Sequence, residues 1–165
     1  MSPRPFDPEL ALTTLANHGV RFVVIGGLAG RLWGSTAVTN DLDICYARDP
    51  KNLEALAAAL RELDSTLRGA PEKLPFVLDA RTLAAGDHFT FSTDAGNLDC
   101  IGTPAGSRGF SDLIAAAVEM TIGSARVFVV AIEDLIRMKE ASGRPKDRVE
   151  LEILAALKEE LDRKR

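Results

Sequence analysis

The chain has 165 residues, enough for one domain with a real core but short of room for a separate substrate domain. Its 46% apolar content marks an ordinary globular protein, and a formal charge of −4 (pI about 5.2) lacks the electrostatic footprint of a duplex-DNA-binding module. No apolar run reaches membrane-spanning length and Met1-Ser2-Pro3-Arg4-Pro5 has no signal-peptide core, so no membrane partner and a cytoplasmic location are expected.

The opening amphipathic helix is expected over Asp7 to His18, with Leu10, Leu12, Leu15 and Ala16 as apolar positions and Gly19 ending it. Arg21 to Ile25 is too continuously apolar for a solvated edge and reads as a central strand. A double glycine and a short helix over Leu28 to Trp33 lead to a strand over Asp41 to Tyr46. Asp49-Pro50 starts a helix that runs to Leu63, because proline suits the first turn. A polar connection follows over Asp64 to Lys73, then a short strand over Phe76 to Asp79 and a loop containing Gly86.

His88 to Thr93 alternates cleanly and Leu98 to Ile101 returns, giving a hairpin around Asp94-Ala95-Gly96-Asn97. A tip at Ala95-Gly96 sets Ser92 opposite Asp99 and Phe91 opposite Cys100, with Phe89, Phe91, Leu98 and Cys100 forming the apolar face. Phe110 to Ala117 reads as a helix, Glu119 to Ile122 and Val127 to Val130 as a hairpin around Gly123-Ser124. Ile132 to Ala141 and Asp147 to Leu161 close the chain as a helix pair. Two hairpins among mixed elements predict an α/β (α+β) fold with a mixed sheet flanked by helices.

Chemistry concentrates at Asp41 and Asp43. Alternate strand residues share a face, so these like charges stand side by side and gain from a cation between them. Hard carboxylate oxygens suit Mg²⁺, which keeps waters and takes phosphates as further ligands. A third carboxylate, Asp99, sits in the apolar setting Leu98-Asp99-Cys100-Ile101, where an acid needs solvent, a partner or a metal. The reading requires acids from two strands to meet in one pocket; an Asp99 turned away, or locked to an arginine, would end it.

Gly26 and Gly27 let the backbone approach a phosphate, or simply make a tight turn. The basic group Arg137, Lys139, Arg144, Lys146 and Arg148 either meets triphosphate oxygens or complements a helix C-terminus. Asp147 orients Lys139 or is a first-turn acid of the last helix. His18 is expected as a helix-dipole partner; His88 either falls on the face of Asp99 or, the favoured reading, is a surface strand histidine. Cys45 shares the face of Asp43 while Cys100 opposes Asp99, so convergent aspartates preclude a disulfide between them. Two cysteines, two histidines and no CxxC argue against zinc.

The ordered set of strand, Gly26-Gly27, short helix, Asp41-x-Asp43 and a later Asp99 resembles the polymerase-β-type nucleotidyltransferase superfamily. Within it the chain is similar to small bacterial proteins grouped with the abortive-infection nucleotidyltransferase toxins and the minimal nucleotidyltransferases. The stretch from Glu133 to Asp147 resembles that group's third motif, a helical lysine followed by a basic-aspartate segment.

The resemblance implies one nucleotidyltransferase domain over 1–165, with a core over about 20–130 and C-terminal helices over 131–162. It implies Asp41, Asp43 and Asp99 as catalytic, metal-binding residues for Mg²⁺ or Mn²⁺, two ions with the NTP. Gly26, Gly27, Thr39 and Lys139 become nucleotide contacts. An NMP would move from an NTP to a hydroxyl of a protein, tRNA or small molecule with release of pyrophosphate. Toxin activity with an antitoxin partner, and a homo-oligomer, fall within what the group permits. The alternative is a catalytically weak nucleotide-binding or partner-regulating relative. Its support is Leu28, where many members carry serine, and the absence of a basic residue over Ser35 to Thr39.

Overall fold

A computed structural model describes residues 4–71 and 74–164. The first three residues of the N-terminal stretch, and Lys73 at the end of the polar connection, lie outside them. Elements in chain order are α1 (Pro8–Asn17), β1 (Phe22–Ile25), α2 (Gly26–Trp33), β2 (Asp41–Tyr46), α3 (Pro50–Glu62), β3 (Thr66–Leu67) and α4 (Ala80–Ala85). They continue as β4 (His88–Thr93), β5 (Gly96–Ile101), α5 (Phe110–Ile114), β6 (Val118–Ile122), β7 (Ala125–Val129), α6 (Ile132–Ser142) and α7 (Asp147–Arg163).

The strands form one mixed sheet in the order β3-β4-β5-β2-β1-β7-β6. β1 is central and all four of its residues are buried, as a continuously apolar strand demands. It pairs antiparallel with β2 and parallel with β7, while β2 pairs parallel with β5. That last pairing decides the site, because it joins the acidic strand to the strand carrying Asp99. Leu42, Ile44, Leu98 and Cys100 are buried on one face. The two thiols are free and lie on opposite faces, since Cys100 pairs with Ile44 and Cys45 with Ile101.

Local chemistry sets the helix ends. The Asp7, Asp49 and Asp79 carboxylates accept from the N–H groups of Leu10, Asn52 and Thr82 and so open α1, α3 and α4. α2 packs on β1 and β2 and then on α6 and α7, tied down by the Trp33 indole, which donates to the Val130 carbonyl at 2.8 Å. Among the described residues no helix is long and apolar enough to cross a membrane.

Several sequence expectations differ from the structure, among them the end of the Phe110 helix, which stops at Ile114 and not at Ala117. The 64–73 connection holds the edge strand β3, paired with β4 through Thr66–Ser92 and Leu67–Phe91. Phe76 to Asp79 is not a strand; Phe76 and Leu78 pack against the core while Val77 is exposed, and the Phe76 ring lies 6.2 Å from Phe91 and 6.5 Å from Phe89. The expected loop after it contains α4. The β4–β5 hairpin turns at Asp94-Ala95, so Thr90, not Ser92, opposes Asp99, and Phe91 opposes Leu98. The slip is two residues, which preserves the faces: Phe91 and Cys100 are buried and Asp99 stays on the polar side.

Candidate active site

The register of β2 on β5 places Asp43 directly beside Asp99 and Asp41 beside Asn97. The Asn97 amide donates to Asp41 Oδ1 at 3.2 Å. Asp41 and Asp43 thus share a face with Asp99, two strands contributing three acids. Burial, followed by the charges of Asp99 and Asp41, pushes the Asp43 carboxyl up to about 7 against the pull of Arg144. Such a pair holds a proton where a cation would otherwise sit.

The two glycines are fitted to these acids. Gly26 has φ +68, and a β-carbon there would lie 2.2 Å from Asp43 Oδ2. A β-carbon on Gly27 would lie 2.8 Å from Thr39 Oγ1. The start of α2 is therefore packed against the acidic strand and the loop before it, closer than any side chain allows. Thr39 donates its hydroxyl to the Asp41 carbonyl at 3.1 Å, fixing that loop.

The third wall comes from α6 and α7. Lys139 is 7% exposed, with Nζ 3.2 Å from Glu150 Oε2 and 3.7 Å from Asp147 Oδ1. It does not extend freely across a cleft, because its charge is already matched at the corner between the two helices. Both readings of Asp147 hold: it opens α7 and it faces Lys139. Burial would raise the Asp147 carboxyl, but the Ser142 hydroxyl, Lys139 and Arg144 outweigh it and hold it low. Arg144 donates from Nε to Asp147 Oδ2 at 3.0 Å and leaves its side chain half exposed.

Gly27, Thr39, Asp41, Asp43, Asp99 and Lys139 line one open cleft of about 620 Å³, together with Arg144, Lys146 and His88. Gly26 lines an adjoining cleft of about 460 Å³ that shares Asp43, Lys139 and His88. The sequence-selected residues are thus brought together. His88 stands two residues before Thr90 on β4, on the face of Asp99, and so belongs to the cleft and not merely to the surface. His18 caps α1 and meets Glu62 at 3.2 Å, away from the site.

One expectation is not met. Asp99 carries an arginine: Arg68 Nη2 lies 2.5 Å from its Oδ1. Arg68 comes from the end of β3, the strand that sequence patterning misses, so no sequence signal brought it to position 99. Of the two conditions set against the reading, the first is not met, since Asp99 stands beside Asp43. The second is met, since Asp99 is paired to an arginine, so a metal or proton role for Asp99 requires that pair to open.

Among the described residues no group of three or more histidine, cysteine or carboxylate side chains is gathered as a ready metal cage. Mg²⁺ seldom uses one: one or two carboxylates with waters and substrate phosphates suffice. The adjacent Asp43 and Asp99, mutually repelling and opening on a polar cleft, fit that mode.

No family model and no curated protein sequence matches the chain. Solved structures do. The lincosamide antibiotic adenylyltransferase LnuA, in its lincomycin-bound crystal structure, superposes with TM-score 0.61 at 11% identity, covering 93% of this chain and 99% of that one. The antibiotic-resistance factor ANT(2'')-Ia gives 0.53 at 18% identity over 91% and 79%. A candidate nucleotidyltransferase from Thermotoga maritima, TM1012, gives 0.51 at 15% over 97% of both chains. The likeness is one of architecture, a mixed sheet flanked by helices. The chain has the fold of these nucleotidyltransferase structures.

Proposed function

We propose that the protein is a divalent-metal-dependent nucleotidyltransferase that moves an NMP from an NTP to a hydroxyl acceptor and releases pyrophosphate. The observation that carries this reading is the β2–β5 register, which sets Asp43 against Asp99 in a cleft walled by Gly27, Thr39 and Lys139. Asp41, Asp43 and Asp99 would hold Mg²⁺ or Mn²⁺, which when bound supplies neutralisation of the phosphate charge.

The chain's own groups do the rest by position and charge. The N–H groups at Gly26 and Gly27 open α2 toward the phosphates. Arg144 and Lys146, on the segment joining α6 to α7, are the more available cations for the triphosphate. Lys139 steadies that wall and faces the phosphates from its base. The acceptor oxygen bonds to the α-phosphorus as the bond to the pyrophosphate oxygen breaks, and Asp99 takes the hydroxyl proton.

A small hydroxyl-bearing acceptor is favoured over tRNA. The net charge is negative, and the chain matches nearly the full length of an adenylyltransferase whose crystal structure holds lincomycin. A toxin acting on protein or tRNA, paired with an antitoxin, would use the same transfer step. The second reading, a nucleotide binder with weak turnover, is favoured by Leu28, which is buried and offers no hydroxyl after the glycines.

Incubation with each α-labelled NTP and Mg²⁺ or Mn²⁺ against lincosamides, aminoglycosides, lysate protein and tRNA separates these readings. Label is expected on one acceptor class. Nucleotide binding without transfer to any of them would favour the second reading.

A further inference from the structure

Arg68 has no place in the transfer step, yet it touches one of the three acids. Its N–H donates to the Thr90 carbonyl at 2.9 Å, extending the β3–β4 ladder by one residue. Thr90 in turn pairs with Asp99. The guanidinium therefore arches over β4 to reach Asp99 Oδ1. The pair is partly buried, the side chains 29% and 18% exposed, where a charge-assisted contact counts for more than at the open surface.

The contact is also incomplete. Arg68 Nη1 is buried without a hydrogen-bond partner among the described residues, and a buried unpaired donor penalises the conformation that buries it. The strand that delivers Arg68 is only two residues long and lies at the sheet edge, and Gly69 follows at φ +76. The backbone of Arg68 is held by Thr90, but among the described residues Asp99 is the partner of its guanidinium. A guanidinium and a divalent ion would compete for the same carboxylate.

We propose that Arg68 is a resident counter-ion of Asp99, displaced when a divalent cation binds, so that it sets the metal affinity of the site. The inference rests on reading Asp43 and Asp99 as metal-binding carboxylates. It concerns Arg68 as a residue acting through Asp99, not as a catalytic one.

Mn²⁺ titration without nucleotide, followed by the electron paramagnetic resonance of the free ion, tests it on the full chain. Arg68→Gln is expected to tighten Mn²⁺ about tenfold, the scale of one lost charge-assisted bond, and Arg68→Lys by less. Asp99→Asn added to Arg68→Gln should remove the gain. Phenylglyoxal labelling of Arg68 in the wild type, read by mass spectrometry, needs no variant and should accelerate when Mn²⁺ is added.

Mn²⁺ binding that is sensitive to Asp43→Asn but unchanged or weakened by Arg68→Gln would overturn this inference alone. Labelling that ignores Mn²⁺ in a protein that binds it would do the same. Mn²⁺ binding indifferent to Asp43→Asn, or absent altogether, would overturn the metal-site reading and this inference with it.

Discussion

Asp43 makes the metal-free protein sensitive to pH in an unusual direction. Its carboxyl is raised from 3.8 to about 7 by burial and by Asp99 and Asp41. Between those values the folded chain keeps a proton that the unfolded chain releases. Stability from this group is therefore complete below about pH 4 and is lost as pH rises through about 7. At 1.36 kcal/mol for each pH unit between 3.8 and 7, the loss is at most about 4 kcal/mol, and solvent in the open cleft reduces it.

Asp79, Asp112 and Asp147 are lowered, so their contributions are lost only in more acid solution. Burial raises Asp134, which acts in the same direction as Asp43, so the comparison with Asp43→Asn is what isolates Asp43. Burial pushes Cys45 and Tyr46 up to about 12, beyond the range. Urea unfolding at pH 5, 6, 7 and 8 in a chelator should show falling stability, with a flatter profile for Asp43→Asn. A divalent ion competes with that proton, so Mg²⁺ should restore stability at pH 8 and do little at pH 5. Parallel pH profiles for wild type and Asp43→Asn would refute the reasoning.

Two further substitutions probe the walls of the cleft. Gly26→Ala adds a β-carbon 2.2 Å from Asp43 Oδ2 at φ +68; the left-handed backbone alone costs about 1–2 kcal/mol, and the displaced carboxylate should lower transfer at least tenfold. Chemical denaturation and label transfer read the two effects, and a variant unchanged in both would remove the packing argument. Lys139→Ala leaves the partly buried Glu150 without its cation while Asp147 keeps Arg144 and Ser142, and should cost about 2–3 kcal/mol by urea unfolding, below the range for a fully uncompensated buried charge. A loss under about 1 kcal/mol would mean that the α6–α7 corner does not depend on that cluster.

Much of this site was legible because strand periodicity is rigid. The Asp41-x-Asp43 spacing fixed a common face without knowledge of any neighbour, and β2 begins and ends where its residues predict. Gly26-Gly27 could be placed after a buried strand, but their closeness to Asp43 and Thr39 is a tertiary fact. The helix begins at Gly26, two residues earlier than expected, because glycine's weak helix propensity hides a start that packing imposes.

What escaped was short or remote. β3 has two residues, too few for an alternation to register, and its pairing is set by β4. α4 spans six residues, less than two turns, and its one local signal was the Asp79 cap on Thr82. Arg68 escaped for the same reason as β3: nothing in Thr66-Leu67-Arg68 points to a carboxylate on the second strand over. The basic segment from Arg144 to Lys146 was visible as charge, whereas the burial of Lys139 between two acids was not.

The central claim is that acids on β2 and β5 form a nucleotidyl-transfer site. The most direct measurement is transfer of label from α-labelled NTP with Mg²⁺ or Mn²⁺ by wild type and Asp43→Asn side by side. Acceptor labelling is expected from the wild type, with a loss of at least about a hundredfold in the variant. Equal labelling by the two proteins would contradict it.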